Sequence, residues 1–203
     1  MPSAGKRRGS VSPELESTVA GLLAAGDLQR AATEIIRGYG PQILGYLTAL
    51  MQKPDDADEA FSLFCEDVWK GLHGFQRRSS ALAWGYRIAW SCAARVAQDG
   101  YRRRGRRLST GELSELAAAV RSTTALHLKD SSKEWLRRTR EQLTPEERTL
   151  LILRLDRRMS WREVAHVLAA GGESSLGEVA LRKRFDRLKH KLEEAARVEG
   201  LIE

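Results

Sequence analysis

The sequence has little of several features that define other classes of protein. It carries only 2 cysteines in 203 residues, and Cys65 and Cys92 fit no metal-binding or redox spacing. Both lie in apolar stretches with helical spacing, which favours small buried side chains over reactive thiols. The 4 histidines have no cysteine or carboxylate at ligand spacing, and there is no glycine-rich phosphate loop. The sequence therefore predicts no metal, no cofactor and no catalysis by the chain itself.

Long apolar runs are also missing. No stretch approaches the roughly 20 apolar residues that a membrane-spanning helix needs. The basic cluster Lys6–Arg8 has no apolar segment behind it, so a secretory signal is not expected. No segment alternates apolar and polar residues at period two, so a β-sheet is not expected either. We expect a cytoplasmic, all-α protein with a disordered basic tail over residues 1–12.

The charge balance is basic, with 34 Lys and Arg against 27 Asp and Glu and a formal net charge of +7. A basic surplus favours an acidic partner, of which nucleic acid is the commonest. Many basic proteins bind no nucleic acid, so the charge alone identifies no partner. The length allows one large domain or two small ones.

The basic residues are concentrated between Phe75 and Arg107. This stretch interleaves nine arginines with tryptophans and tyrosines and has one acid, Asp99. Arginine binds phosphate oxygens through paired hydrogen bonds, and aromatic rings stack on unpaired bases. The same pattern fits a core helix that buries its tryptophans and ends in a solvated arginine tail. Composition alone leaves both interpretations open.

Helix start and stop signals divide the residues before this stretch. Ser12 caps a first helix that begins with proline. A second helix is expected over about residues 27–38. Gly38 and Gly40 are expected to stop it, and Pro41 to begin a third helix.

Two further helices follow, and then a linker. A helix that opens at Pro54 has one broad apolar face and one acidic face. Ser79 or Ser80 can cap the next helix, which is long and runs to about Gln98. Residues 108–132 are rich in small polar side chains and contain only a short helical pattern, which indicates a linker.

The second half carries three capped helices. Each begins with a capping box, in which a serine or threonine is followed three residues later by glutamate: Thr144–Glu147, Ser160–Glu163 and Ser175–Glu178. In the last helix the apolar residues from Leu181 to Leu192 mark a buried face, and basic residues occupy the opposite side. This order of helices is typical of a helix-turn-helix.

Three short runs are specific in spelling: DADEAF at 56–61, WGYRIA at 84–89 and LTPEER at 143–148. Together with their surroundings they resemble motifs of bacterial RNA polymerase sigma factors of the extracytoplasmic-function (ECF) type, which belong to the sigma-70 family. The resemblance covers residues 35–107 and 140–195. It implies a DNA-binding protein of transcription initiation.

The resemblance also implies the architecture. Two small all-α domains are expected, a sigma-2-like helical bundle at 13–107 and a sigma-4-like helix-turn-helix at 139–203. A linker at 108–138 would join them.

The acidic helix resembles the segment with which the family docks on core polymerase, which commonly reads like DAEDLVQEVFLRVW. Ser62 and Leu63 stand where that segment has Gln and Glu. Exposed acids are the main candidates here, because large apolar side chains are more often core. The contacts that the resemblance implies are Asp56, Asp58, Glu59, Phe61, Glu66 and Trp69.

The next segment resembles the family's promoter-melting motif, FRG-S-F-WLYRIA with a basic end. Arg77 and Arg78 stand where the family often has Gly and an acid. The resemblance implies that the loop Gln76–Ala81, rather than the tryptophans, holds a flipped base of the −10 element while arginines hold the strand backbones. The implied −10 contacts are Gln76, Arg77, Arg78, Ser79, Ser80, Ala81, Arg87, Ser91, Arg95, Tyr101, Arg102 and Arg103.

The second half resembles the family patterns LPPRERxVLxLR, LSYEEIAEIL and KSRLHRARKRL. Its turn, from Ala169 to Ala180, is longer than the family's usual turn, so a start of the last helix near Leu176 is an alternative. The resemblance implies that this helix reads the −35 element in the major groove. The implied −35 contacts are Arg162, Glu178, Arg182, Lys183, Arg184 and Arg187.

The implied partners are core RNA polymerase and promoter DNA, both duplex and melted. The chain is expected to be a monomer outside the holoenzyme and not to insert into a membrane. An anti-sigma protein is a common partner in this family, although no residue here identifies one. Two other hypotheses stay open. One is a dimeric helix-turn-helix regulator that binds palindromic DNA without polymerase, and the other is a degenerate sigma-like adaptor that melts no DNA.

Overall fold

The computed structural model describes residues 11–51, 53–98, 111–128, 142–171 and 177–198. Throughout these ranges the chain is helical and contains no strand, which confirms the predicted all-α class. None of the helices in these ranges is long and apolar enough to cross a bilayer. Nearly all of the predicted tail, residues 1–10, lies outside them.

The described ranges contain eight α-helices. Three short turns of other helical types accompany them: a π-helical turn, Ile152–Asp156, and two 3-10 turns, Leu72–Gly74 and Ala169–Gly171. In chain order the α-helices are α1 (Pro13–Ala24), α2 (Leu28–Leu50), α3 (Pro54–Gly71), α4 (Ala81–Gln98), α5 (Gly111–Leu128), α6 (Pro145–Leu151), α7 (Trp161–Leu168) and α8 (Glu178–Val198).

One long helix, α2, stands where the sequence predicted two. It continues through Pro41 and the two glycines before it, so the predicted break was wrong. A proline in a helix interior costs about 3 kcal/mol, because it removes one N–H and crowds the preceding turn. Full burial of one Ile or Leu contributes about 1.5–3 kcal/mol. Ile35, Ile43 and Leu47 are all fully buried on the two sides of the proline, so core packing outweighs the break signal.

The two glycines are places of close approach between helices. A Cβ on Gly38 would lie 2.3 Å from Leu15 Cδ2 of α1, and a Cβ on Gly40 would lie 3.0 Å from Val120 Cγ1 of α5. Because glycine has no side chain, both neighbouring helices can pack tightly on α2.

The core of the first half lies between α2, α3 and α4. The buried rings of Tyr46 and Tyr86 meet edge to face, with 5.3 Å between their centroids. Cys65 and Cys92 are fully buried and form no disulfide, and burial raises the pKa of both thiols to about 12. The two cysteines therefore behave as small core residues, as the sequence predicted.

The segment predicted as a linker contains α5, which packs on α2 and α3. Its apolar residues Leu113, Ala117 and Val120 are all buried. The short helical pattern seen in the sequence is thus part of an 18-residue helix. Residues 111–128 add a fifth helix to the first-half bundle.

The second half begins with the two capping boxes that the sequence predicted. The backbone N–H of Glu147 donates to Thr144 Oγ1 at 3.2 Å, and the N–H of Thr144 donates back to Glu147 Oε2 at 2.9 Å. Ser160 and Glu163 repeat this exchange at the start of α7. Local hydrogen bonds therefore define the starts of α6 and α7.

The third predicted box and the alternative helix start lie outside the described residues. The box was predicted to begin at Ser175, and the alternative helix start was predicted near Leu176. In the structure α8 begins at Glu178, directly after Gly177. Its inner face buries Leu181, Phe185 and Leu188, as predicted from their spacing.

Buried polar contacts join the two halves. Tyr46 Oη in α2 lies 3.0 Å from Thr149 Oγ1 in α6, and either hydroxyl can donate. Arg148 Nη1 donates to the carbonyl oxygen of Leu50 at 2.6 Å. That carbonyl belongs to the last turn of α2, where main-chain acceptors have no partner within the helix. Side chains of the second half therefore complete the C-terminus of α2.

Candidate nucleic-acid interface

The loop between α3 and α4 carries the exposed part of the arginine-rich stretch. Gln76, Arg77 and Arg78 are all exposed. Arg77 has φ 55°, in the left-handed region that glycine adopts without cost. An arginine there pays about 1–2 kcal/mol of backbone strain. The structure thus presents two cations and an amide at the N-terminal side of α4.

Ser80 caps α4, as one of the two serines was predicted to do. Its Oγ accepts from the backbone N–H of Ala83 at 3.1 Å. Ala81, which was predicted to contact the −10 element, is fully buried. Its side chain therefore does not reach the surface, so a side-chain contact from Ala81 to the −10 element is not supported.

A carboxylate from α1 completes this cap. Glu16 accepts from the N–H groups of Ala81 and Leu82 at 2.9 and 3.2 Å, and from the hydroxyl of Tyr39 at 2.8 Å. A negative charge at a helix N-terminus is favourable because of the helix dipole. Sequence reasoning missed Glu16, since it lies 65 residues before Ala81 and no local pattern links them.

The aromatic residues of α4 pack inward. Tyr86 is fully buried and Trp90 nearly so. Trp84 is half-buried, and its ring lies 4.9 Å from that of Phe75. This resolves the two interpretations of the stretch for α4, whose rings form core rather than an exposed stacking surface. Tyr101 lies outside the described residues.

The polar residues along α4 differ in solvent exposure and in whether they already have a partner. Arg87 and Ser91 are partly exposed. Arg95 forms an ion pair with Asp67 of α3 and donates to Cys92 Sγ at 3.0 Å. To hold a DNA strand, Arg95 would have to leave this pair. Arg102 and Arg103, the remaining predicted −10 contacts, lie outside the described residues.

The loop and α4 contact α7. Ser79 Oγ lies 3.4 Å from His166 Nε2. Burial, and then the positive charge of Arg87, lower the pKa of His166, so Arg87 also lies near this contact. Part of the predicted −10 surface therefore faces the helix-turn-helix.

The predicted docking residues lie on α3. Asp58 is exposed, while Asp56, Glu59, Glu66 and Trp69 are partly exposed. Phe61 is different, because its ring is fully buried and stacks on that of Phe64. In this arrangement Phe61 does not reach the surface and contacts no external partner.

Arg121 of α5 covers one part of α3. Its Nη2 donates to Ser62 Oγ at 2.6 Å and to the carbonyl oxygen of Asp58 at 3.0 Å. Its Nε lies 3.4 Å from Asp58 Oδ1, and its guanidinium lies over the ring of Phe61 at 5.4 Å. This contact was not expected from the sequence.

The outer side of α8 is basic and open. Arg182, Lys183 and Arg187 are exposed, as is Arg162 at the start of α7, while Arg184 is partly buried. Arg182 lies 3.6 Å from Glu178, four residues earlier on the same face. Such exposed pairs are weak, so Arg182 can exchange its partner for a DNA acceptor.

The helix-turn-helix holds α8 through stacked side chains. Trp161 of α7 meets the ring of Phe185 edge to face at 5.5 Å, and the Arg154 guanidinium lies 4.3 Å from the centroid of the Trp161 ring. These contacts fix the inner face of α8 and leave its basic face turned outward. Across the described residues, no cluster of His, Cys, Asp and Glu could hold a metal ion.

Comparison with known families agrees with this geometry. Residues 35–107 match the family model of Sigma-70 region 2. The match takes in most of α2, the acidic helix α3, the exposed loop and α4. It supports a sigma factor of the sigma-70 family, a class that binds RNA polymerase and recognises promoters. No curated protein matches the sequence.

Proposed function

We propose that this protein is an ECF-type sigma factor. It docks on core RNA polymerase through α3, holds the −10 element with the loop 76–80 and the polar residues of α4, and reads the −35 element with α8. The Sigma-70 region 2 match carries the proposal, because it coincides with the acidic helix and the exposed arginine loop. Polymerase would carry out the chemistry, in the cytoplasm, and this chain would supply promoter choice.

The two DNA-reading surfaces have different roles in this proposal. At the loop, Arg77 and Arg78 supply charge for the phosphates of an opened strand. On α8, Arg182, Lys183 and Arg187 point outward, as base readout in the major groove requires. Loss of one base contact should cost about 1–3 kcal/mol and relax preference at one position.

The structure is a closed arrangement for this function. Ser79 of the loop touches His166 of α7. The −10 and −35 elements lie about two turns of duplex apart, roughly 70 Å at about 34–36 Å a turn. The contact between Ser79 and His166 holds α7 against α4, so we infer that the two halves separate in order to bridge that distance. Promoter binding therefore requires the helix-turn-helix to move away from α4.

A run-off transcription assay tests the proposal. Purified core polymerase, this protein and a library of promoter fragments are combined, and transcripts are sequenced. We expect transcripts that depend on this protein and share two upstream elements. A protein that binds DNA alone but yields no transcript from any fragment would instead be the dimeric helix-turn-helix regulator.

The adaptor hypothesis has one observation in its favour. The rings of α4 are packed, so the described part of this stretch shows no exposed ring for stacking on an unpaired base. Fluorescence of 2-aminopurine placed in the −10 element separates the two functions. A rise with holoenzyme supports promoter melting, whereas tight holoenzyme formation without a rise supports the adaptor.

A further inference from the structure

We propose that α5 is an internal cover for the polymerase-docking face of α3, held there by Arg121, and that core polymerase has to displace it. The inference rests on the proposed function, because it takes α3 as the docking helix. It assigns a role to a segment that the sequence presented only as a linker.

Arg121 binds the side of α3 that polymerase would contact; we call this side chain the latch and the acidic side of α3 the acidic stripe. Asp58, Ser62 and Glu66 are spaced four residues apart, which places them on one side of α3. Arg121 occupies the first two positions through its bonds to the main chain of Asp58 and to Ser62 Oγ, and through its ion pair with the Asp58 carboxylate. Glu66, the third position, pairs with Lys70 of its own helix at 3.2 Å. The N-terminal half of the stripe is therefore occupied from within the chain.

The cover also hides an apolar residue of the docking motif. Phe61 is fully buried, with the Arg121 guanidinium over its ring. Val120, one residue before the latch, packs against Gly40 of α2. Removal of α5 would uncover both the acidic stripe and the edge of the Phe61 ring. The opened form would thus offer a mixed acidic and aromatic surface.

The attachment of α5 is of a kind that can be reversed. The Arg121 side chain keeps 28% of its surface exposed and that of Asp58 keeps 58%, so water competes for the pair. Among the described side chains of α5, Leu113, Ala117 and Val120 are buried and Leu116 is partly buried against the core. Elements with few buried apolar side chains open at low free energy. A partner that binds α3 can therefore compete with α5.

The test compares Kd for core RNA polymerase between the full-length protein and its Arg121→Ala variant at one salt concentration. Apparent Kd equals intrinsic Kd divided by the fraction of open protein. Loss of the latch should therefore lower Kd by about three- to tenfold. Arg30→Ala is the matched control, because Arg30 lies on the same bundle and, within the described residues, pairs with Asp27 at 3.6 Å rather than with α3. It removes the same charge and should leave Kd unchanged.

Hydrogen exchange shows whether α5 has been released. Peptides from 111–128 should exchange faster in Arg121→Ala than in the unmodified protein, while peptides from α2 should not. If α5 stays protected in that variant, Val120→Asp supplies a second release, because it places a carboxylate against α2 at Gly40. It should then lower Kd at least as far as predicted for Arg121→Ala.

Three results would overturn the proposal that α5 covers the docking face of α3. Weaker binding by Arg121→Ala would mean that α5 is part of the docking surface. Unchanged Kd in a variant whose α5 exchanges freely would mean that α5 hides nothing. Absence of core binding by every variant and by the unmodified protein would overturn the proposed function as well, and so differs from the first two. If α5 stays protected in Arg121→Ala and Val120→Asp does not fold, Arg121 does not hold α5 on α3 and the proposal fails as stated.

Discussion

Ser79 and His166 meet across the two halves of the chain, with 3.4 Å between Oγ and Nε2. The first belongs to the loop that is proposed to hold the −10 element, and the second belongs to the helix-turn-helix. The contact couples the state of one half to the state of the other. It also brings a titratable group to the boundary between them.

Stability should fall in mild acid because of His166. Burial and the charge of Arg87 lower the pKa of His166 below its ordinary value of 6.5. The unfolded chain then binds a proton more readily than the folded one, so the free energy of unfolding decreases as pH drops below about 6.5. Above that pH the contribution is fully present.

Urea unfolding at pH 5.5, 6.5 and 7.5 measures this effect. His166→Gln should reduce the loss of stability toward pH 5.5. His190→Gln, at a highly exposed position on α8, should retain it. Equal pH dependence in His166→Gln and the unmodified protein would contradict the assignment.

Arg77→Gly should stabilise the protein. Arg77 has φ 55°, and relief of about 1–2 kcal/mol of strain outweighs the 0.5–1 kcal/mol, roughly, that glycine costs in unfolded-chain entropy. The expected net gain is at most about 1.5 kcal/mol, measured by urea unfolding. Arg78→Gly removes the same charge from the neighbouring position, where φ is not positive, and should not stabilise. A loss of stability in both variants would contradict the prediction.

Glu16→Ala should destabilise the start of α4. It leaves the N–H groups of Ala81 and Leu82 without their carboxylate acceptor, and it leaves the hydroxyl of Tyr39 with the Ser12 carbonyl oxygen at 3.5 Å. We expect a loss of about 1–3 kcal/mol in the free energy of unfolding. Glu16→Gln keeps one carbonyl oxygen and should lose less. Equal losses of unfolding free energy in the two variants would mean that hydrogen bonding to Glu16 does not cause the loss.

A double-mutant cycle on Tyr46→Phe and Thr149→Val tests whether the halves are joined in solution. The two hydroxyls lie 3.0 Å apart in a buried site, so the coupling energy should be about 0.5–1.5 kcal/mol. Tyr46→Phe with Ser62→Ala is a control pair that should be additive, because the Ser62 hydroxyl bonds to Arg121 rather than to Tyr46. Zero coupling between Tyr46 and Thr149 would mean that the halves separate in the free protein.

The sequence alone predicted most helices because their signals are local. The boxes at Thr144 and Ser160 and the cap at Ser80 each join atoms three residues apart, so the chain carries donor and acceptor together. The buried face of α8 also follows from the spacing of its own residues. The acidic helix α3 and the exposed loop were predicted for the same reason, since each is one continuous motif.

Other features depend on which helices meet. In the sequence, a glycine that ends a helix cannot be told from a glycine that lets another helix pack closely. Only the positions of Leu15 and Val120 in the structure show that Gly38 and Gly40 are of the second kind. Glu16 and Arg121 act on residues about sixty positions away, and no periodicity reports such pairs.

The sequence by itself therefore determined the all-helical class, the caps, the acidic helix and the two basic surfaces, because hydrogen bonds and periodicity within a few residues encode them. Only the tertiary structure decided which of these surfaces are open. Packing buried Phe61 and Ala81, paired Arg95 with Asp67, and placed α5 over α3 and α7 against the loop. Those outcomes follow from long-range burial of apolar area, which a linear pattern does not contain.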